Sequence, residues 1–297
     1  MARFLFQRIL AAILTIFVTT IAVSMLIHLV PGDPVQIMYA QSQGTTPEQL
    51  EEVRARLGLD RPLIEQYFNY LGRVLQGDLG YTIRGEQPVL ELLLLRLPNT
   101  LLLATAALVI ASAIGLTFGF IAAYKRGSWL DTTLMTTAIL GVSMPHFWLG
   151  LILLFYFAVQ LQWFPVAGSG FENLVLPAMT VGLISGSVLT RFVRSAVLEA
   201  LHQDYARTAR AKGLSRWQTV RRHVLPNAWI SIVTAVGLQL GFLLGGVVIV
   251  EVIFEWPGLG RLAYDAVVRR DYSLLQGAVL AIALMFLVVN FLVDLLY

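Results

Sequence analysis

The sequence has no cysteine, four histidines and a charged fraction of only 13%. The missing cysteines exclude disulfides, thiolate metal sites and cysteine nucleophiles together, and they leave the redox compartment unreadable. His28, His146, His202 and His223 show no metal-ligand spacing, so they read as interfacial or packing residues and no metal site is expected. There is no Walker-type phosphate loop, no HExxH, no GxSxG and no paired carboxylates within an apolar run. Internal repeats and low-complexity tracts are absent too. Nothing catalytic is encoded, so the chain reads as no enzyme; if energy drives it, a partner hydrolyses the nucleotide.

What remains is largely apolar. Hydrophobic residues make up 57% of the 297 positions, and the mean hydropathy is +0.74. That is far from an ordinary soluble domain, and the length is better counted in membrane spans. The formal net charge is only +3, so the placement of charge matters more than its sum.

The basic start, with Arg3 and Arg8, precedes an apolar run from Ile9 to Val30. A signal-peptide core would be shorter, at about 7–15 residues, so an uncleaved first span with a cytoplasmic N-terminus is expected. Pro31-Gly32-Asp33-Pro34 ends it. The segment to Leu97 is polar and reads as a small helical cap on the outer face. Thr46-Pro47-Glu48-Gln49 has the pattern of an N-cap with a capping box, opening a helix with the stripe Leu50, Val53 and Leu57. A second short helix is expected from about Pro62 to Gln76, ending at Gly77.

The second span is expected to open at Pro98-Asn99-Thr100 and run to about Tyr124. The third apolar run, from after Asp131 to about Gln160, is longer than a span needs, and Pro145 predicts a kink. The fourth is expected over about 174–190, the fifth over about 229–250 and the sixth from about Ser273 onward, with a polar stretch over 251–271. Six spans place both termini inside. The lysines and arginines of the short inside segments agree: Arg3 and Arg8, Lys125 and Arg126, then eight basic residues from Arg191 to Arg222. The organisation read from this is residues 1–30 as terminus and first span, 31–97 as cap, and 98–297 as a five-helix core carrying a cytoplasmic loop at 191–228.

That loop contains the polar island Glu199 to Pro226. It reads as two amphipathic helices joined at Gly213, a C′ position where a left-handed backbone suits glycine. Leu198, Leu201, Tyr205 and Ala209 share a face of the first. Ser215 and Gln218 form a capping box opening the second, whose apolar face is Trp217, Val220 and Val224. Pro226 predicts a boundary before the fifth span. A basic helical hairpin held at a membrane face reads as a docking device.

Ionisable groups within the spans are few: His28, His146, Glu251 and Asp294. Only His146 sits deep, and it can stay neutral, so no proton relay or ion site is read. Gly237, Gly241, Gly245 and Gly246 form a small-residue face that fits close helix packing, a dimer seam or a pore wall.

Several segments together resemble one family, the dipeptide, oligopeptide, glutathione and nickel branch of ABC-importer inner-membrane permeases. They are Pro31-Gly32-Asp33-Pro34, Leu57-Gly58-Leu59-Asp60-Arg61-Pro62-Leu63, Gly77-Asp78-Leu79-Gly80, Leu97-Pro98-Asn99-Thr100, the block from Asp204 to Gly213, Phe242-Leu243-Leu244-Gly245-Gly246, and Phe254 to Gly260. Each run is short; their order and spacing make the match specific. In such importers the loop before the fifth span carries E-A-A, three residues, glycine, nine residues, I-x-L-P. Gly213 matches the glycine, and Leu225 and Pro226 match the end. Arg207-Thr208-Ala209 replaces the acidic start and His223 the isoleucine, which resembles the peptide branch and suggests an acidic groove on the partner.

The resemblance implies an all-α membrane protein of the type I importer permease fold: six spans and an outer helical cap. It implies a permease subunit of an ATP-driven importer of dipeptides or oligopeptides, with a glutathione or nickel-chelate importer as the alternative. ATPase coupling would fall to Tyr205, Arg207, Thr208, Ala209, Arg210, Ala211, Lys212, Gly213, Leu214, Ser215 and Pro226. Met144, Pro145, His146, Gly241, Gly245 and Glu251 would line the path. Asp78, Glu255, Trp256 and Pro257 would form an outer gate or binding-protein contact. ATP and magnesium would be held by partner subunits, with no cofactor on this chain. The partners implied are a second, related permease, two cytoplasmic ATPases, an extracytoplasmic peptide-binding protein and membrane lipid; the place is a bacterial or archaeal cytoplasmic membrane. Three readings compete. A DNA-binding helix-turn-helix needs a recognition helix free to enter a groove, and this hairpin is tethered at both ends, so no nucleic acid partner is expected. A lipid-headgroup role for the arginines would show as salt-sensitive binding. A secondary transporter or channel would lack the docking hairpin.

Overall fold

The computed structural model describes the chain except residues 1, 30–47, 49–50, 52–54, 56–59, 83–86, 169 and 297. The turn at Pro31–Pro34, most of the helix expected after Thr46 and residues 57–59 of the Leu57–Leu63 run lie outside the described residues. All regular structure among those described is helical, apart from one isolated bridge between Tyr81 and Pro88.

The helices are α1 (Ala2–Leu29), α2 (Leu63–Leu75), α3 (Val89–Tyr124), α4 (Trp129–Ser143) and α5 (His146–Leu153), which runs on as a π-helix, Leu154–Gln160. Then come α6 (Phe171–His202), α7 (Asp204–Ala211), α8 (Arg216–Thr219), a π-helical turn Val220–Val224, α9 (Leu225–Ile253), α10 (Leu259–Arg269) and α11 (Tyr272–Leu296). Among the described residues five stretches are long and apolar enough to cross a membrane: 6–25, 89–124, 171–202, 216–253 and 272–293. The pair α4 and α5 with its π extension, bent by 103° at Met144–Pro145, makes a sixth if counted as one span. The break falls where Pro145 predicts the kink. No carbonyl one turn back can receive a proline N–H, and Met144 is pushed to an extended backbone at ψ 127°.

The residues group into two compact units. The first comprises 1–98 and 258–288. In it α2 closes on a Schellman turn, with Gly77 N–H donating to Val74 O and Asp78 N–H to Arg73 O. Tyr67 and Thr20 share a hydroxyl hydrogen bond of 3.1 Å, tying α2 to α1. Val89 and Leu93 are buried, and Val89 lies so close to Gly277 of α11 that a Cβ there would stand 2.5 Å from its Cγ1.

The second unit comprises 99–257 and 289–297. In it α3 crosses α6 at close range. Glycines permit it: a Cβ at Gly182 would lie 2.7 Å from Ile110 Cγ2, and one at Gly119 would lie 2.7 Å from the Thr190 carbonyl. Close backbone approach of this kind is how helices associate where lipid is as apolar as leucine.

Three expectations are corrected. The second span does not open at Pro98; α3 begins at Val89 and contains that proline. Burial of Val89 and Leu93 offsets the helix-interior cost of proline, about 3 kcal/mol. The first hairpin helix is not continuous from Glu199. The chain turns out of the helix at Gln203 (ψ 154°), so Leu198 and Leu201 belong to α6 while Tyr205 and Ala209 belong to α7. Pro226 makes no boundary. The π turn widens the helix just before it, Asn227 Nδ2–H donates to His223 O at 2.6 Å, and 216–253 is one continuous stretch. The polar stretch 251–271 contains the amphipathic helix α10.

Candidate functional site

The hairpin α7–α8 is assembled from local rules. Gly213 sits at φ +85°, and a Cβ added there would meet nothing within 4 Å, so only backbone conformation demands glycine there. Gly213 N–H donates to Arg210 O at 2.9 Å and Leu214 N–H to Ala209 O at 3.3 Å, the two bonds of a Schellman motif. Ser215 then caps α8: its hydroxyl accepts from Gln218 N–H while the Gln218 side chain accepts from Ser215 N–H.

One apolar cluster fixes the hairpin to the ends of three long helices. Ala123 of α3, Val193, Ala196, Val197 and Ala200 of α6, Ala206 of α7, Val224 of the π turn, and Ala228 and Ile232 of α9 are all buried in it. Leu198, Leu201, Tyr205 and Leu225 pack on its edge. Alanines let the elements approach closely, so a push on α7 meets packed side chains rather than a loose tether. Burial pushes the Tyr205 phenol pKa up, as an apolar packing position would. Trp217 is half exposed and leans edge-on against Tyr124 and Phe120.

The outward side of α7 and its turn presents Arg207, Thr208, Ala211, Lys212, Gly213 and Ser215 to solvent, while Leu214 is half-buried. Among the described residues Arg207 and Lys212 meet no carboxylate. Arg210 folds back instead, donating through Nε to Ala206 O and through Nη2 to Leu201 O. Pro226 is exposed on α9.

The residues read as a path are placed variously. His146 lies over Gly246, where a side chain would begin 3.4 Å from its Nε2. Met144 and Pro145 form the break beside it. Gly241 is buried against Asn290 of α11, and the half-buried Gly237 lies against Val293, so these two glycines serve packing within the chain. Gly245 faces open space. Glu251 is fully buried and accepts from the Thr100 hydroxyl at 2.7 Å.

Of the residues read as an outer gate, Trp256 is buried and donates Nε1–H to Asn99 O at 3.0 Å, while Asn99 Nδ2–H donates to Pro257 O at 2.9 Å. Glu255 is exposed with a left-handed backbone at φ +52°. Asp78, in the first unit, accepts from Gly80 N–H at 2.9 Å and closes the turn after α2.

Sequence reasoning missed one pair outright. Arg194 grips Asp131 in a two-bond fork, Nε to Oδ1 at 2.6 Å and Nη2 to Oδ2 at 2.9 Å. Asp131 also accepts from Gly127 N–H at 3.0 Å, so one carboxylate ties the turn before α4 to α6. Sixty-three residues separate the partners, and no sequence periodicity relates them.

Comparison with known proteins agrees with this architecture. The family described as "Binding-protein-dependent transport system inner membrane component" matches residues 115–297, and its N-terminal companion matches 1–104. The chain is 40% identical to the glutathione transport system permease protein GsiC of Escherichia coli (strain K12), covering all of this chain and 97% of that one. It is 42% identical to the di/tripeptide transport system permease protein DppB of Pseudomonas aeruginosa (strain UCBPP-PA14), again over 100% and 97%. In fold it is similar to a chain of the MetNI methionine ABC transporter in an inward-facing conformation, with a TM-score of 0.60 at 21% identity, over 69% of this chain and 94% of that one. A chain of an amino acid ABC transporter gives 0.57 at 18% identity. This sets aside the secondary-transporter and channel readings. Proteins of this kind are multi-pass inner-membrane subunits and not enzymes, with ATP hydrolysis in partner subunits. The chain belongs to the inner-membrane components of binding-protein-dependent transport systems, the permease subunits of ABC importers.

Proposed function

We propose that this permease imports small peptides, glutathione-like peptides included, and that it couples to its ATPase through α7 and the Gly213 turn. The observation that carries the reading is the exposed edge of Arg207, Thr208, Ala211 and Lys212 on a hairpin anchored by buried alanines to α3, α6 and α9. A partner that pulled on this edge would move three long helices together. Closure of two ATPases on ATP would draw the hairpins of two permease subunits towards each other and switch a central path from one side to the other. The hairpin must bind open and closed ATPase dimers unequally, since only differential contact transmits free energy.

The second permease would be a related chain, so that each forms half of the path, and an extracytoplasmic peptide-binding protein would deliver substrate. Both termini and the hairpin would lie in the cytoplasm, and ATP and magnesium would stay on the ATPases. His146 beside Gly246, and the open face at Gly245, are the path residues we favour. Peptide as substrate class is supported by likeness to permeases named for glutathione and for di- and tripeptides.

Charge reversal separates the two arginines. Arg207→Glu, which reverses an exposed cation that meets no carboxylate among the described residues, is expected to weaken ATPase co-purification about tenfold at low salt. Arg210→Glu, whose cation is turned onto backbone carbonyls, should do less. Equal retention of the ATPase by Arg207→Glu and the parent chain would contradict the docking. For the substrate, uptake of labelled dipeptide in cells expressing the whole importer should be competed by di- and tripeptides; competition by nickel chelate alone would overturn the peptide assignment.

A further inference from the structure

Behind the hairpin, on the side away from the exposed edge, lies a cavity of about 440 Å³. Its polar lining is Arg126, His202, Arg210, Arg216 and Thr219, with no acidic residue. Ala123, Leu198, Leu201 and Leu214 complete the wall. Three guanidinium groups therefore converge on one apolar-backed hollow.

Their bonds show how the charge is held. Arg216 donates to the Tyr124 carbonyl, and its guanidinium carbon lies 4.9 Å from the Tyr124 ring centroid. Arg210 donates to the Ala206 and Leu201 carbonyls. Arg126 Nη1 meets His202 Nε2 at 3.1 Å, and His202 Nδ1 meets Leu198 O at 2.6 Å. A guanidinium only donates and a carbonyl only accepts, so in this arrangement Nε2 accepts from Arg126 and Nδ1–H donates to the Leu198 carbonyl. None of these acceptors is a carboxylate. Among the described residues none of the three cations forms an ion pair with a carboxylate; Asp131 is gripped by Arg194 and acts on Arg126 only at longer range. Like charges so grouped repel, and an anion between them would offset that repulsion.

Thr219 supplies an independent pointer. It is buried at 1% exposure and lines the cavity, yet its hydroxyl has no hydrogen-bond partner among the described residues. A buried hydroxyl left without a partner is unusual, and a threonine hydroxyl is able to donate to a phosphate oxygen.

We infer that this cavity binds a phosphate group, held by Arg126, Arg216 and the Thr219 hydroxyl and backed by Leu198, Leu201 and Leu214. The phosphate is that of an anionic phospholipid headgroup or a free phosphoryl anion. The helix ends at Tyr124 and His202 flank the hollow, where a headgroup would sit if the hairpin is cytoplasmic, and basic pockets there recruit acidic lipids. The site does not use the edge of α7, so it stands whether or not that edge docks an ATPase.

The test uses the assembled importer in nanodiscs, with native mass spectrometry counting retained ligand. Three chains are compared: the parent, Thr219→Val, which keeps shape and removes only the hydroxyl, and Arg126→Gln. Arg222→Gln, an exposed arginine outside the lining, is the control. In nanodiscs containing phosphatidylglycerol, retention should fall about tenfold in Thr219→Val and Arg126→Gln and stay level in Arg222→Gln. In phosphatidylcholine nanodiscs with inorganic phosphate titrated in, the same pattern on bound phosphate identifies a free anion as ligand; its absence there, with the lipid effect present, identifies the headgroup. An equal fall in Arg222→Gln reduces the effect to general surface charge and overturns the site. So does no change in either probe, or loss of the ATPase from Thr219→Val with lipid retention intact, which would give the cavity to an ATPase side chain.

Discussion

At the scale of single residues, two buried hydroxyls make opposite predictions. The Thr100 hydroxyl donates to the fully buried Glu251. A hydrogen bond to a charged group contributes about 1.5–3 kcal/mol, so Thr100→Val should lower the thermal midpoint of the solubilised importer while Thr100→Ser restores it. An unchanged midpoint in Thr100→Val would mean that Glu251 is neutral or held by its other neighbours. Tyr70 of the cap is buried, its hydroxyl has no partner among the described residues, and burial pushes its phenol pKa up to about 12. Tyr70→Phe should therefore leave cap stability unchanged or raise it. The sign of the pH effect follows from the raised folded-state value. The neutral phenol's contribution is complete below pH about 10, the unfolded value, and is lost as pH rises towards 12, so the alkaline loss should be smaller in Tyr70→Phe.

At the scale of elements, the hairpin turn and the Asp131–Arg194 fork can be broken separately. Gly213→Val forces a β-branched residue to φ +85° in open space, so the penalty is backbone strain of about 1–3 kcal/mol. The chain should insert normally but lose uptake, and Gly213→Asn, which tolerates the left-handed region, should retain most of it. Full uptake in Gly213→Val would remove the turn from the coupling account. Arg194→Ala strands a buried carboxylate and should destabilise the α4–α6 packing by on the order of 3 kcal/mol; pairing it with Asp131→Asn should recover part of that. Arg194→Lys should fall between, because it keeps the charge and loses the fork. These two elements also show what the sequence could reveal. Gly213, the Ser215–Gln218 box and the break at Pro145 were legible because each is a local rule with a fixed offset. The fork, the Thr100–Glu251 bond and the cavity behind the hairpin were not, since each joins residues brought together only by helix crossings. Pro226 misled because a π turn absorbed the missing donor, and Pro98 because burial upstream outweighed its cost.

At the scale of the whole molecule, the long apolar stretches and the bent α4–α5 pair form a permease whose polar hairpin is anchored to three helices by small residues. Composition indicated the membrane and basic-residue placement an orientation; the family and fold agree with the first, and the second remains part of the proposal. The central claim is that α7 and its turn are where an ATPase engages. The absence of native cysteine makes the direct measurement clean. Single cysteines at Thr208→Cys and Ala211→Cys, on the exposed edge, and at Gln76→Cys, on the cap, are cross-linked in the assembled importer with a short thiol-to-amine reagent. Cross-links to the ATPase from Thr208→Cys and Ala211→Cys that change with nucleotide, and none from Gln76→Cys, are the predicted result. ATPase cross-links from Gln76→Cys, or none from either hairpin position, would contradict it.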